Sequence, residues 1–468
     1  SHQPWLDKLP GSTGGGRHYA LNRTNTFWEY SRDFWDYQNR SSFLMRQGMS
    51  VIDLCLYLGD NAPVRILTHR LPVIPAGFDF DAFSTDALFT RMEVKEGRIV
   101  LPDGVSYQMM VLPRNGEITL EALRKIASLV QAGASVYGTR PQRSGTLHDL
   151  EHMVEYEELV NMMWGRNNTP QGCSHYGKGT VYWGMSLTDA VSKAGMMPDV
   201  TVPEKRKFYY AHRTLWDGEI YFLDNHEDTP LAHTFIFRTS KRYAELWNPV
   251  TGKRYSLQST LTADGRISVP LQMAARESYF VIFSDAQSTS QLPVKEWNMQ
   301  EKKTFIQGDW TVDFSEKLGG PGKVVFTALT DWTSHKDERI KYYSGTAVYR
   351  HNLMMDDKRS ESRYLLRFAK LASIARIVLN GREVGTVWCS PWEIDITEAL
   401  ETGENKLEIY VANSLMNRMI GDSMLPEDQR ITYSATSIAT PGMSLIPSGI
   451  IGSVQLVRQM SASNSSDK

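Results

Sequence analysis

Ala375 to Asn413 reads ARIVLNGREVGTVWCSPWEIDITEALETGENKLEIYVAN, and this stretch decides the fold. Arg376 to Leu379 alternates apolar and polar residues, and Asn380-Gly381 follows at once. Asn-Gly supplies the positive φ of a tight hairpin turn, so Val384 to Trp388 is the returning strand. Trp392 to Ile396 alternates again, Thr402-Gly403-Glu404-Asn405 predicts a turn, and Lys406 to Val411 places Leu407, Ile409 and Val411 on one face. Antiparallel strands spaced this closely predict a β-sandwich or jelly roll.

Moving outward, the chain has 468 residues, too many for one ordinary domain. Its net charge is −2, with acids and bases interspersed, which gives no sign of a nucleic-acid groove or a basic membrane face. No apolar run is long enough to span a bilayer. Cys55, Cys173 and Cys389 lie far apart, form no metal spacing, and are odd in number, so at least one is unpaired. The chain has no starting Met, and SHQPWLDKLPG reads as the interior of a longer protein.

Residues 1–26 are rich in Gly, Pro, His and Asn and predict a loop. A helix capped by Asn25 or Thr26 follows, carrying Phe27, Trp28, Ser31, Phe34, Trp35 and Gln38 toward Arg46 and stopping at Gly48, with Trp28 packed inward. Between 49 and 200 strands alternate with helices, which predicts a parallel sheet. Its strands are Val51–Leu58, Ile99–Leu101, Tyr107–Leu112, Ala134–Tyr137 and Thr180–Trp183. Its helices are a short one at Ala87-Leu88, Thr119–Ala132 capped by Thr119, and His148–Trp164. Cys173 falls in a predicted Gly/Asn loop, two residues before His175. Residues 205–285 alternate strands with turns at Thr251-Gly252 and Asp264-Gly265, predicting a small antiparallel sandwich. Residues 286–304 read as a polar linker, 300–458 as the jelly roll, and 459–468 as a disordered tail.

Two resemblances give these units a family. The order of NG, VG, an aromatic loop and DIT…L…GEN.L…V.N, with Ser344-Gly345-Thr346-Ala347 and Tyr349-Arg350 beside it, resembles the sugar-binding jelly roll of glycoside hydrolase family 2. HQPW…PG…G…H…NRTNTFWE, followed by an aromatic helix and RQG…DLCLYLGD, resembles the end of the catalytic barrel in the α-L-rhamnosidases of glycoside hydrolase family 106. DGRIVLPDG.SY…MVLP…T.E.L.KI..LV.AGA.V.G is similar to the amidotransferase-like domain behind the barrel in that family and in family 42 β-galactosidases. The resemblance implies a multidomain chain: residues 1–48 end a (β/α) barrel, 49–200 form a flavodoxin- or amidotransferase-like unit, 205–285 a β-sandwich, and 300–458 a galactose-binding-like jelly roll.

The family motif carries over to His2, Gln3, Pro4, Asn22, Arg23, Phe27 and Trp28. It implies a sugar-contacting loop made of His2, Trp5, His18, Asn22 and Arg23. Trp5 would offer an apolar face, and Asn22 and Arg23 hydroxyl-directed donors. Trp388 and Trp392 are accessory sugar contacts or plain packing residues. The resemblance implies removal of terminal L-rhamnose from plant polysaccharide outside the cytoplasm, with calcium in the complete enzyme and no cofactor within this chain. The family's two catalytic glutamates lie upstream of the matching segment, so the missing barrel portion is an expected partner, the catalytic residues are unassigned, and the chain alone is expected to be weak or inactive.

The residues themselves agree that catalysis is not spelled out here. Glycosidic cleavage uses two carboxyl groups flanking the scissile bond. Near the loop stand Asp7, Glu29 and Asp33; Glu29 and Asp33 sit at a helix start, where the dipole favours acids. An amidotransferase nucleophile at an elbow is absent: Cys55 lies inside a strand run, and Cys173 with His175 is the remaining thiol reading. Asp224-Asn225-His226-Glu227 is read as a solvated loop because a hard cation needs more oxygen ligands. Two other readings stay open: a non-catalytic carbohydrate-binding protein, and a β-galactosidase- or β-glucuronidase-type glycosidase built from the same modules.

Overall fold

The computed structural model describes residues 25–60, 71–167, 169–203, 206–287, 291–297, 299–432 and 439–460. The loop expected at 1–24 and the tail from 461 lie outside them.

The segment after Asn25 is not one helix. A 3-10 turn at Trp28–Tyr30 is followed by an α-helix at Arg32–Leu44. Neither Asn25 nor Thr26 caps it; the Thr26 hydroxyl donates instead to the Asn413 carbonyl. Ser31 breaks the run, its hydroxyl turned back onto the Trp28 carbonyl at 2.7 Å. Trp28 is exposed at 39 %, contrary to the inward packing expected of it.

The α/β unit has a sheet ordered Phe80–Phe83, Leu54–Tyr57, Met109–Val111, Ser135–Tyr137, Gly179–Trp183, Gly172–Tyr176. All neighbours are parallel except the last pair, a hairpin. Helix Leu120–Ala132 buries Leu120, Leu123, Ile126 and Val130, and its Thr119 cap accepts from the Ala122 amide. Gly133 ends it at φ 130°, where a side chain would be strained. Helix Met153–Trp164 packs on the same face, and Leu187–Lys193 covers the other. That last helix, not expected from the sequence, buries Leu187, Ala190 and Val191. Cys173 lies in a strand rather than a loop, and the His175 ring nitrogen bonds the Thr180 hydroxyl at 3.0 Å.

The sandwich consists of a six-stranded sheet, Met49–Ser50, Phe208–Thr214, Gly218–Asn225, Ser278–Ser284, Tyr243–Trp247, Arg254–Leu257, facing Leu231–Phe237, Ile267–Met273 and Thr260–Leu261. Phe235, Phe237, Leu246, Val269 and Phe283 fill the space between. Met49–Ser50, expected to open the α/β unit, instead pairs with Phe208–Thr214. Gly48 permits this at φ 55°: a Cβ there would stand 2.0 Å from the Thr214 carbonyl oxygen.

The last unit has two antiparallel sheets. One runs Gln300–Phe305, Gly449–Met460, Arg363–Ala372, Glu393–Asp395; the other Gly322–Phe326, Trp310–Phe314, Thr346–Met355, Gly403–Ala412, Ile374–Leu379, Arg382–Val387. The Asn380-Gly381 turn has both residues at positive φ, 55° and 76°, as the hairpin demands. Two expectations fail. Gly403-Glu404-Asn405 belongs to the strand rather than the turn, because Asn405 pairs with Leu353. Gln300–Phe305 is an edge strand rather than linker, and it pairs through Gln459 and Met460, which had been assigned to the tail.

Candidate functional site

His2, Trp5, His18, Asn22 and Arg23 lie outside the described residues. The structure does show how the chain leaving that loop is held. Tyr30 meets the Thr346 hydroxyl at 3.2 Å, and the Arg376 guanidinium lies 5.3 Å over its ring and 4.2 Å over Tyr410. Asp33 accepts from the Thr386 amide at 2.8 Å. Phe34 and Tyr37 each set their rings edge-on to Trp388 at 5.3 Å. On its other side the helix meets the sandwich: Tyr37 reaches Ser278 at 3.2 Å, and Arg40 donates to the Pro249 and Val250 carbonyls at 3.0 Å. Helix Arg32–Leu44 therefore bridges sandwich and jelly roll.

This geometry gives the two helix acids structural roles. Asp33 is committed to a backbone amide, and Glu29 is exposed on the 3-10 turn. Trp388 packs against the helix with its indole N–H buried and unpartnered. Trp392 packs against the jelly-roll core.

Between helix, sandwich and jelly roll opens a cleft of about 1820 Å³. Its inner wall carries residues that sequence reading did not single out. Glu277 is 9 % exposed; burial raises its pKa despite a 2.7 Å bond from the Ala274 amide and a hydrogen bond with Tyr279. Lys295 places its ammonium 4.8 Å over Tyr255 and 5.0 Å over Trp297, and burial lowers its pKa. Arg367 reaches Glu301 at 2.8 Å and Glu393 at 2.6 Å, and Arg363 reaches Asp395 at 2.7 Å. Cys389 lies in the same wall with its thiol pushed up to about 12 by burial, so it is no nucleophile at neutral pH. These residues come from separate segments spread between Tyr255 and Asp395. The one local signal was Lys295-Glu296-Trp297, an aromatic in an otherwise polar run.

A second cluster lies where the α/β unit meets the sandwich. Arg238 reaches Asp53 at 3.0 Å and Asp199 at 3.2 Å, both carboxylates being 1 % exposed. His212 reaches Asp199 at 2.9 Å through Nδ1 and Glu219 at 2.9 Å through Nε2. Burial alone would lower the His212 pKa, but its bonds to Asp199 and Glu219 and their charges outweigh it and raise it. Tyr221 stacks on the ring at 3.8 Å and donates to Asp199 at 3.2 Å. Asp53 stands in the α/β unit and Arg238, His212 and Glu219 in the sandwich, so this cluster joins the two.

Asp224-Asn225-His226-Glu227 does not converge on a cation, and the solvated loop expected there is in part strand. Asp224 and Asn225 end Gly218–Asn225, and the buried Asn225 amide donates to the Thr229 and Ala274 carbonyls. Asp224 faces His226 at 3.2 Å, and Glu227 accepts from the Lys207 amide at 2.8 Å. No group of three or more His, Cys, Asp or Glu among the described residues is placed to hold a metal ion. No described helix is long and apolar enough to cross a membrane. The three cysteines form no disulfide.

Comparison with known proteins fits this architecture. The galactose-binding-like domain model of glycosyl hydrolase family 2 matches residues 328–435. The structure of a rhamnosidase from Novosphingobium sp. PP1Y superposes with a TM-score of 0.80 at 31 % identity, covering 98 % of this chain and 44 % of that one. A Formosa agariphila protein bearing a β-glucuronidase name is 23 % identical over 654 aligned positions, covering 91 % of this chain and 55 % of that protein. The chain thus spans about half the length of the relatives it matches. The α-L-rhamnosidase model of glycoside hydrolase family 106 matches residues 1–260, more than half of the 468, and the chain belongs to that family.

Proposed function

We propose that this chain is the C-terminal portion, with most of the catalytic barrel missing, of an α-L-rhamnosidase that removes terminal L-rhamnose from plant polysaccharide outside the cytoplasm. The observation that carries the reading is the family match over residues 1–260 together with the rhamnosidase superposition along nearly the whole chain. The acid and base would come from a barrel portion beyond this sequence. What supports that division is the use made of the acids beside the expected sugar loop: Asp33 holds Thr386, and Glu29 stands exposed on a turn. In the complete enzyme the helix Arg32–Leu44 would fix the exit of the loop carrying His2, Trp5, His18, Asn22 and Arg23 against the jelly roll, as catalytic positioning requires. The α/β unit would act as a silent, amidotransferase-like support. No step is assigned to calcium.

The test is hydrolysis of aryl α-L-rhamnoside by the purified chain and by a chain extended through the barrel. The expected result is little or no turnover by the chain alone, since acid and base catalysis are each worth ~10²–10⁴ in rate, and turnover by the extended protein that Arg23→Ala reduces far more than Trp388→Ala. Robust turnover by the chain alone, abolished by Glu29→Gln, would overturn the division. Turnover of aryl β-glucuronide in preference to the rhamnoside would favour the activity named for the Formosa relative.

A further inference from the structure

The cleft between sandwich and jelly roll holds a cation that stands outside the ion pairs around it. Ten carboxylates and seven cations line it among the described residues. Six of the cations have a carboxylate within 4 Å. Lys295 has none, and its ammonium makes no hydrogen bond to a described residue; its contacts are the faces of Tyr255 and Trp297. An ammonium carries three donors, and one not engaged by a neighbouring carboxylate can give them to a ligand's hydroxyls. Beside it Glu277 offers acceptor capacity from a buried position, hydrogen-bonded to Tyr279, whose ring lies 6.4 Å from Trp297.

We propose that this cleft binds an uncharged oligosaccharide, with a sugar ring against Trp297 and Tyr255 and its hydroxyls shared between Lys295 and Glu277.

Three features choose this ligand class. The volume exceeds the ~300–1,000 Å³ of small-molecule pockets, so an oligomer fits better than a single sugar. A surplus of carboxylates disfavours an anionic chain such as a polyuronate, because the cations that would receive it are already engaged. A cationic ligand would have to sit beside the Lys295 ammonium. What remains is a neutral, hydroxyl-rich molecule with an apolar face, the combination that aromatic walls flanked by donors and acceptors accommodate. Choosing a sugar among such molecules rests on the glycosidase reading above. The contacts proposed here, Trp297, Tyr255, Lys295 and Glu277, are other than Trp388, which lines the same cleft, and the binding requires no catalysis.

Titration calorimetry of the purified chain tests the proposal without turnover, so an inactive chain leaves the answer intact. The probes are maltotetraose, xylotetraose and a rhamnose tetramer at millimolar concentration, with tetragalacturonate as the anionic counterpart. The expected result is saturable binding of at least one neutral tetramer, stronger than that of tetragalacturonate. Trp297→Ala and Lys295→Met should each weaken it about tenfold, the size of one aromatic or hydrogen-bonded contact. Circular dichroism checks that the variants fold, and if Trp297→Ala does not, Lys295→Met decides alone. No binding of any neutral tetramer, affinity unchanged by the substitutions, or tighter binding of tetragalacturonate each overturns the proposal.

Discussion

The sandwich unit has two junctions, and they are built in opposite ways. Toward the α/β unit, charges are buried and paired: Arg238 serves Asp53 and Asp199, and His212 serves Asp199 and Glu219. Toward the jelly roll, the units stand apart around a cleft, bridged by helix Arg32–Leu44, and Lys295 makes no ion pair within 4 Å. A matched buried network fixes one relative placement, because any displacement strands a charge in a poor dielectric. A cleft with an unmatched group has little to lose by admitting a ligand. The first junction is built for rigidity, the second for access.

Breaking the closed junction should have the largest effect. Arg238→Ala leaves Asp53 and Asp199 with their main cation gone, and removing one partner of a buried pair costs about 3–5 kcal/mol. Chemical denaturation should show that loss as a lower midpoint. A change below about 1 kcal/mol would mean the network is dispensable and the contrast between junctions is wrong.

The bridge helix is the next test. Asp33→Ala leaves the Thr386 amide without its acceptor, at an expected cost of about 1–3 kcal/mol. If the helix is the strut of the open junction, protease sensitivity near residues 386–392 should rise with it. Loss of stability without that local opening would place Asp33's contribution elsewhere.

Titration sharpens the contrast further. His212 holds its proton more tightly folded than unfolded, where its pKa is about 6.5. Its stabilisation is therefore complete below about pH 6.5 and is lost as pH rises through the raised folded value. Each tenfold in proton affinity is worth about 1.4 kcal/mol. Stability measured from pH 6 upward should fall across that window, and His212→Gln should flatten the fall. An equal slope in the variant would assign the pH dependence to other groups.

What could be read from the sequence, and what could not, follows the same divide between local and distant chemistry. Asn380-Gly381 and the Thr119 cap act on their own neighbours, so spacing alone locates them. Gln300–Phe305 could not be found that way. All six of its residues are exposed, so no alternation marks it, and it exists because Gly449–Met460 offers an edge. Gly172–Tyr176 was hidden for a similar reason: it is the outer strand of a hairpin, half exposed and polar. Both charge clusters join residues from distant segments, and nothing within any one segment announces Asp53 with Arg238 or Glu277 with Lys295. The two acids that did stand out, Glu29 and Asp33, drew notice for their helix position, and Asp33 proved to be an anchor.

The smallest expected effect is also the most discriminating. Lys295→Met removes a cation that, unlike Arg238, has no carboxylate within 4 Å. The variant forfeits the attraction to Tyr255 and Trp297, worth roughly 0.5–1 kcal/mol at a partly exposed site. It also relieves the desolvation that lowers the Lys295 pKa, and Met fills the same aromatic gap with a flexible thioether. These terms oppose each other, so the denaturation midpoint should move by the equivalent of no more than about 1 kcal/mol, in either direction. A loss on the scale expected for Arg238→Ala would show that Lys295 is a structural group after all, and the cleft wall would then be a joint like the first. A near-neutral change leaves the ammonium with no structural duty, as a junction built for access requires.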